Sequence, residues 1–382
     1  MNDKFEKQME KSLKKASKNI LISLVIFFMI LSATFAYLWL TEVPSPLNLK
    51  ENEPDDSTVD GDENSTTDPT LIKNNDGTYS KVLTETSCDV EVYYLDLEKE
   101  NGETEIGDST YIKCGNIDIL IDAGKKNPGS HTVVPFLKEK VTDKTIDILI
   151  ATHTDDDHIG GFDGLSQEGG VLEIEDFTYK YILESGFVTD TNIYERFMEL
   201  IDNTTAKICT PIESMNGTNQ CPSSFILGDA KFEILDTRLY ALDEDRPNDR
   251  SIVTLLTHNE VNFLFPGDLE DDELFASTID FHVDIFKAAH HGASSANSST
   301  LLNALTPDVV ILSTDGDNSY DIPQQASLDR IYAVTDDVYA TFTTGTIKIT
   351  SNGTTYNIEA EENLILFQDT DWFEQNRTLN TN

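Results

Sequence analysis

The 382-residue sequence predicts one large α/β domain that follows a hydrophobic segment and an acidic linker. From about residue 80 onward, apolar runs of strand length alternate with stretches of helical periodicity. Several of these apolar runs end in histidine or carboxylate side chains, which are common metal ligands. The remaining length of about 300 residues is enough to bury a large core in a single domain.

The N-terminal region predicts a membrane anchor. Residues 1–18 contain six lysines and three acidic residues and form a basic tail, whereas residues 20–40 contain no charge. A run of this length can cross a bilayer as one helix, and the lysines before it place the N-terminus in the cytoplasm. A signal peptide cleaved after Ala36 is the competing interpretation. We favour an uncleaved single-pass anchor over residues 19–41, with the domain outside the cell, because the apolar run continues to Leu40.

Residues 42–80 are rich in Asp, Glu, Asn, Ser, Thr and Pro, and they predict a disordered linker before a folded domain at 81–356 and a C-terminal extension at 357–382. The formal net charge is −42, although residues 1–18 contribute positive charge. No run rich in Lys and Arg occurs beyond the N-terminal tail. Such a surface disfavours nucleic acid as a partner, because contacts of Lys and Arg with phosphates dominate that affinity.

Four cysteines fit an oxidising exterior. Predicted strands at 90–97 and 109–113 form a hairpin that would place Cys88 opposite Cys114. Cys209 and Cys221 would close a short loop. Zinc–thiolate binding is disfavoured, because the spacing lacks a paired Cys-x-x-Cys motif.

The segment 151–161, Ala-Thr-His-Thr-Asp-Asp-Asp-His-Ile-Gly-Gly, predicts a metal site. It follows the apolar run 146–150, and His153, Asp155, Asp157 and His158 supply imidazole and carboxylate ligands that suit zinc, manganese or iron. Their spacing lets one turn direct ligands toward two metal positions. The alternative is a solvated Asp-rich loop, but two later segments repeat the same chemistry.

Both later segments also follow apolar strands. Residues 261–265 precede Pro266-Gly267-Asp268, and residues 281–289 precede His290-His291-Gly292. The other predicted elements are strands at 117–121, 224–227, 230–236, 251–256 and 309–313, and helices at 133–140, 192–201 and 324–332.

The motif His-x-Asp-x-Asp-His-Ile-Gly-Gly resembles the signature of the metallo-β-lactamase superfamily, in the variant typical of the extracellular ComEC competence domain and of phosphorylcholine esterases. Gly107-Asp108-Ser109 and Ile121-Asp122-Ala123-Gly124 resemble further strands of that domain. The resemblance covers roughly residues 88–353 and implies a four-layer αβ/βα sandwich with the metal site at one edge, between two mixed sheets. It also implies a closing hairpin of residues 339–343 and 346–350.

The resemblance implies two divalent ions, zinc first and manganese second, and a metal-bound hydroxide as nucleophile. The implied ligands are His153, Asp155, Asp157, His158, Asp268 and one or both of His290 and His291. Asp157 and His291 are the residues to which we assign a catalytic part.

Other residues receive supporting roles from the same resemblance. Asp122 would orient a ligand histidine, although a turn-capping role is the alternative. Asn248, Asp249 or water would fill the position of a third histidine that many relatives have. Lys287 would be a structural partner, and Ile322 stands where a histidine is usual.

Three functions remain open on this basis. The first is an extracellular phosphodiesterase acting on a phosphate ester at the cell surface. The second is a ComEC-like DNA nuclease, which the acidic charge disfavours. The third is a membrane-tethered binding or scaffold protein whose site has decayed.

Overall fold

Seventeen strands and ten helices are found in the computed structural model, which describes residues 68–165, 167–240 and 246–379. The predicted anchor and residues 42–67 of the predicted linker lie outside these ranges. Within the described ranges, no helix has both the length and the apolar character that a membrane crossing requires.

The strands in chain order are β1 Leu71–Lys73, β2 Tyr79–Thr84, β3 Val90–Tyr94, β4 Thr110–Cys114, β5 Ile117–Ile121, β6 Thr145–Ala151, β7 Thr178–Glu184, β8 Lys207–Cys209, β9 Ser224–Leu227, β10 Ala230–Ile234, β11 Thr254–His258, β12 Val261–Phe265, β13 Ile285–Lys287, β14 Val309–Leu312, β15 Val338–Ala340, β16 Ile347–Ser351 and β17 Tyr356–Ala360. The helices are α1 Lys126–Pro128, α2 Val134–Lys140, α3 Asp156–Asp163, α4 Asn192–Asp202, α5 Pro211–Asn216, α6 Glu273–Ala276, α7 Ser299–Leu305, α8 Gln325–Ile331, α9 Thr341–Thr344 and α10 Asp371–Asn376.

These strands form two mixed sheets. The nine-stranded sheet has the order β1-β2-β9-β10-β11-β12-β13-β14-β15, and the eight-stranded sheet has the order β17-β16-β3-β4-β5-β6-β7-β8. Strand β6 lies between β5 and β7, is parallel to both, and is buried from its second residue onward. Apart from Thr145 and the buried Asp147, its side chains are apolar and face both layers of the core, which is typical of a strand covered on both faces.

Three apolar layers hold the fold together. Ile148 of β6 and Phe263 of β12 belong to the layer between the sheets. Leu137 and Phe162 pack helices α2 and α3 on the outer face of the eight-stranded sheet. Leu301 does the same for α7 on the nine-stranded sheet. The order helix, sheet, sheet, helix is the four-layer arrangement that the resemblance implies.

The predicted closing hairpin is wrong. Strand β15 lies beside β14 in the nine-stranded sheet and is parallel to it, and α9 follows. Strand β16 crosses to the other sheet and pairs with β3 and β17. The true hairpin is therefore formed by β16 and β17. Periodicity predicted the strands but not their partners, because the pairing of β16 with β3 joins residues about 250 positions apart.

Several boundaries also differ from the predictions. Strands β1 and β2 begin inside the predicted linker, and β17 and α10 lie in the predicted C-terminal extension. The predicted strand 281–289 is only three residues long as β13. Helix α3 begins at Asp156 and includes both glycines of the Ile-Gly-Gly motif. Gly161 packs so closely on another segment that a Cβ there would lie 2.0 Å from the Ala123 carbonyl oxygen.

Both predicted cysteine pairs form disulfides. Cys88 and Cys114 link the start of β3 to the end of β4, with Cα atoms 5.4 Å apart. Cys209 and Cys221 close a loop with Cα atoms 5.6 Å apart. The first bridge joins β3 and β4 at the end of this strand pair that lies away from Asp108.

Candidate metal centre

The candidate site lies where strands of both sheets end. Strand β6 runs into His153 and then α3, which carries Asp157 and His158. Strand β12 ends before Asp268, and β13 ends shortly before His291. Since these strand ends meet at one edge between the sheets, the three predicted motifs come together in space.

The carboxylate of Asp268 is the centre of the group. Its Oδ2 atom lies 3.1 Å from His158 Nε2, 3.4 Å from His291 Nε2 and 4.0 Å from His153 Nε2. The Nε2 atom of His290 is 3.7 Å from the same oxygen. Four imidazoles from two sheets thus turn the same ring atom toward one buried carboxylate.

The other ring nitrogen of each buried imidazole is held by the protein. His158 Nδ1 lies 2.7 Å from Asp122 Oδ2, His291 Nδ1 lies 2.9 Å from the Ser313 carbonyl oxygen, and His153 Nδ1 lies 3.2 Å from Thr152 Oγ1. The three Nε2 atoms are buried and have no aligned hydrogen-bond partner among the described residues. Proteins orient metal-ligating histidines in this way, through a carboxylate or carbonyl at the far nitrogen. The donor set therefore fits a divalent metal ion.

Asp122 takes the place that the resemblance implied for it. It has a positive φ of 60°, and its carboxylate accepts hydrogen bonds from Thr152 N at 2.8 Å and Thr152 Oγ1 at 2.7 Å. These bonds fix the oxygen that contacts His158. The turn-capping alternative does not account for this contact.

One side of Asp268 is deeply buried. Asp157 Oδ2 lies 3.6 Å from His291 Nε2, and Asp108 Oδ1 lies 3.4 Å from His291 Nδ1. Lys287 forms a buried ion pair with Asp108 and is therefore the structural partner that was predicted. Asp108, His158, Asp268 and His291 can offer four ligand atoms within 4.8 Å of one another.

Asp108 was not among the predicted site residues. It appeared only within Gly107-Asp108-Ser109, which was assigned to a strand. The available signal was Gly107, which has a φ of 150° and approaches α3 so closely that a Cβ would lie 2.6 Å from the Asp157 carbonyl oxygen. Because only glycine fits at this close approach to α3, the next residue, Asp108, lies beside the metal motif.

Neighbouring charges fix the ionisation of the centre. Burial alone would raise the pKa of Asp108, but Lys287 and His291 outweigh burial and hold this pKa at about 2. Likewise, His158 and His291 hold the pKa of Asp268 well below its ordinary value. Burial would lower the pKa of His158, yet the carboxylates of Asp268 and Asp122 raise it well above its usual range. Positive charge from Lys287 and the histidines therefore holds Asp108 and Asp268 as anions.

The other side of Asp268 is more open. Asp155 Oδ2 lies 3.7 Å from His153 Nε2, and the Asp155 side chain is 45 % exposed. His290 Nδ1 lies 2.9 Å from Glu270 Oε1, and this bond is the main reason why the pKa of Glu270 is about 2. Sequence reasoning missed Glu270, although it stands only two residues after Asp268.

Asn248 and Asp249 separate in the structure. Asn248 lies beside His290, with 3.5 Å between Nδ2 and Nδ1, and its Oδ1 atom is buried without a hydrogen-bond partner among the described residues. Asp249 instead pairs with Arg246 at 2.8 Å and accepts a hydrogen bond from Asp271 N. Of the two, Asn248 is the residue that reaches the centre.

Two other positions lie apart from the ligand cluster. Ile322 packs with Ile106 and Ala293 in a small apolar cluster where the resemblance would place a polar group. His258 is the last residue of β11, and its Nδ1 atom lies 3.0 Å from Ser351 Oγ.

Comparison with known proteins gives a consistent result. Residues 104–189 match the model of the metallo-beta-lactamase superfamily, and this segment includes Asp108, Asp122 and the motif 153–158. The chain is 25% identical over 248 residues to ComE operon protein 3 of Bacillus subtilis (strain 168), covering 60% of this chain and 30% of that protein. It is 28% identical over 104 residues to Recombination protein 2 of Haemophilus influenzae (strain ATCC 51907 / DSM 11121 / KW20 / Rd), covering 27% of this chain and 13% of that protein.

The chain thus spans less than a third of the length of either curated relative. Among solved structures, the metallo-beta-lactamase fold protein YhfI from Bacillus subtilis aligns over 69% of this chain and 100% of its own, with 14% identity and a TM-score of 0.43. The matching segment and the two-sheet architecture establish that this chain has the metallo-β-lactamase fold, which is a fold of metal-dependent hydrolases, and that it is distantly homologous to ComE operon protein 3 and Recombination protein 2.

Proposed function

We propose that the chain is a metal-dependent phosphodiesterase that residues 19–41 anchor to the outer face of the cell membrane. The observation that carries the catalytic part is the set of buried Nε2 atoms of His153, His158 and His291, which face Asp268 without aligned hydrogen-bond partners. A buried polar atom without a partner costs about 1–3 kcal/mol. In a scaffold protein that no longer binds metal, nothing would offset this cost for three such atoms around one carboxylate.

The described side chains divide into two ligand groups that share Asp268. Asp157, His158 and His291 belong to the buried side, and His153 and Asp155 belong to the open side. Asn248 Oδ1 is an additional donor on the open side. Divalent ions held there lower the pKa of a coordinated water and polarise a phosphoryl oxygen. Mixed imidazole and carboxylate ligands suit zinc first and manganese second.

His290 is positioned to move a proton. Glu270 holds its Nδ1 atom, and Ser295 Oγ in turn donates to Glu270 Oε1 at 2.7 Å. The imidazole is partly exposed on the open side, where the leaving group of a bound diester would lie. As a water oxygen adds to phosphorus, the ester P–O bond breaks and Nε2 donates its proton to the departing oxygen. The proton that the attacking water loses then returns the imidazole to its starting state.

Nucleic acid cleavage is the second candidate. The homology to Recombination protein 2, whose name refers to recombination, favours it. The charges oppose it, because the basic side chains near the centre are already engaged. Lys287 pairs with Asp108, and Arg250 lies over the Phe187 ring at 5.7 Å and bonds to a backbone carbonyl. A DNA backbone would therefore meet a strongly acidic surface.

The test uses the full chain in detergent, after reconstitution with zinc or manganese. We would measure metal content by elemental analysis and hydrolysis of bis-p-nitrophenyl phosphate, for the wild type, Asp157→Ala and the neighbouring exposed control Asp156→Asn. We expect about two metals per wild-type chain, loss of metal and turnover in Asp157→Ala, and neither loss in Asp156→Asn. A wild type without bound metal would overturn the enzyme proposal. Salt-sensitive cleavage of DNA without hydrolysis of the small diester would favour the nuclease instead.

A further inference from the structure

A loop beside the metal centre is bonded at both ends to the segment that carries His291. This rim loop, residues 313–323, connects β14 to α8. At its start, the Ser313 carbonyl oxygen lies 2.9 Å from His291 Nδ1, and Ser313 Oγ donates to the Gly107 carbonyl oxygen at 3.3 Å. Directly after it, Gln324 N donates to the Gly292 carbonyl oxygen at 2.9 Å. Both ends of the rim loop are therefore fixed to the site.

The middle of the rim loop forms one wall of a polar cavity of about 420 Å³. Asp315, Asn318 and Tyr320 lie on this wall, and Ile106 and Lys125 lie among the residues that face it. Ile106 is two residues from Asp108, and Asp315 is two residues from Ser313. Ile106 also packs with Ala293, which is two residues from His291, so the wall of the cavity is linked to the segment that carries this histidine.

The C-terminal segment, residues 366–378, holds the rim loop at Gly316, Asp321 and Pro323. Trp372 Nε1 donates to the Gly316 carbonyl oxygen at 2.9 Å. Arg377 Nε donates to the Pro323 carbonyl oxygen at 2.7 Å, and Arg377 Nη2 donates to the Asp321 carbonyl oxygen at 2.9 Å. The Arg377 side chain is only 7 % exposed. One guanidinium thus joins two backbone carbonyls of the rim loop.

The C-terminal segment is itself packed into the apolar core. Phe367 and Phe373 are buried in the apolar layer outside the nine-stranded sheet. Trp372 packs against Phe342 at 5.2 Å and Phe367 at 5.5 Å between ring centroids. Since these contacts do not involve the metal centre, the segment is a rigid support for the rim loop. A planar guanidinium on such a support loses little entropy when it binds two carbonyls.

We propose that Arg377 and Trp372 are positioning residues that fix the rim loop and thereby set the affinity of the site for substrate. The inference rests on the proposed hydrolysis. Loss of the bonds from Arg377 or Trp372 to the rim loop leaves the Ser313 and Gln324 bonds in place, so that His291 keeps its orientation. The effect therefore falls on substrate binding rather than on metal content or the chemical step.

The experiment compares the full chain with Arg377→Gln and with Asn376→Ala. Asn376 is exposed and is the last residue of α10, directly before Arg377. Its side chain donates to the Trp372 carbonyl oxygen within that helix, so it is a matched control. We expect Arg377→Gln to raise KM for bis-p-nitrophenyl phosphate about tenfold, since misplaced positioning groups cost up to about 10²-fold. The values of kcat and metal content should stay at the wild-type level. Arg377→Lys should recover part of the loss.

Hydrogen–deuterium exchange gives a measurement that is independent of activity. The amides of residues 314–322 should exchange faster in Arg377→Gln than in the wild type, and at the wild-type rate in Asn376→Ala. Wild-type KM and wild-type exchange in Arg377→Gln would overturn the inference, as would a joint fall of kcat and metal content at constant KM. If the wild type does not hydrolyse diesters at all, the proposed function fails, and the exchange experiment still decides whether Arg377 fixes the loop.

Discussion

Two regions of the molecule bury carboxylates, and they treat them in opposite ways. In the metal centre, Lys287 and two histidines keep the pKa of Asp108 and Asp268 low. Just beyond the end of β3, burial and the nearby carboxylates of Glu98 and Glu361 raise the pKa of Asp96 to about 7. Asp96 also has a buried Oδ1 atom without a hydrogen-bond partner among the described residues.

The difference shows that neighbours, rather than burial, decide whether a carboxylate is charged. Burial opposes the charged form in both regions. In the centre, cationic partners outweigh it and leave anions that can bind a metal. Around Asp96, further carboxylates add to the effect of burial, and Asp96 keeps its proton up to neutral pH. Substitutions that remove a charged partner in the centre should lower activity or stability. Removing the carboxyl of Asp96 should instead raise stability at high pH.

Removing the shared anion of the centre should have the largest effect. Asp268→Asn keeps the shape of the side chain and removes its charge. We expect the hydrolysis rate to fall by at least about 10³-fold, because the loss of even one oxyanion-hole donor costs about 10²–10³. Elemental analysis should show that bound metal falls with the rate. Asp271→Asn, in the same loop and half exposed, is the control, and a fully metallated, active Asp268→Asn would contradict this account.

Removing the cation that keeps Asp108 charged should destabilise the fold. Lys287→Met leaves a buried carboxylate without its ion-pair partner, which typically costs about 3–5 kcal/mol. Urea unfolding in the presence of a chelator would measure the loss without a contribution from metal. The double variant Asp108→Asn/Lys287→Met should recover much of it. If the single variant is as stable as the wild type, Asp108 does not depend on Lys287 for its charge.

The sequence predicted the parts of the centre that follow long apolar strands. The motif at 153–158, Asp268 and the pair His290 and His291 each come after such a run, and the strand ends meet as expected. Asp108 and Glu270 were missed because neither directly follows a strand. Their roles depend on contacts with Lys287 and His290, which come from distant parts of the chain.

The fold was predictable to a similar extent. Local alternation located most strands to within a few residues, and the resemblance implied the four layers. The partners of β15 and β16 were assigned wrongly, since sheet pairing is decided by long-range packing that a local pattern does not contain. Long-range packing also explains why Phe367 and Phe373 are part of the core, although they lie in the predicted C-terminal extension.

A smaller effect is expected from the residue that orients His158. In Asp122→Asn, the amide group would present a donor to His158 Nδ1, which would favour the ring tautomer that carries its proton on Nε2. We expect metal affinity to fall by about 10–100-fold, as is typical when such an orienting partner is lost. Titration with zinc against a competing chelator measures this. The exposed control Asp143→Asn should bind as the wild type does, and equal affinity in both variants would mean that Asp122 does not orient the ligand.

The smallest effect on the metal centre should come from Asp96, whose substitution should appear only as a pH dependence of stability. Its folded pKa of about 7 lies above the model-peptide value of 3.8, so that between these values the folded chain holds a proton that the unfolded chain has lost. Stability should therefore fall as pH rises through this window, by at most about 1.4 kcal/mol per pH unit. Asp96→Asn removes this part of the slope, and urea unfolding at pH 5 and pH 8 should show that the variant gains on the wild type at the higher pH. Parallel pH curves would mean that Asp96 is charged in the fold despite its acidic neighbours, and the contrast with the metal centre would then disappear.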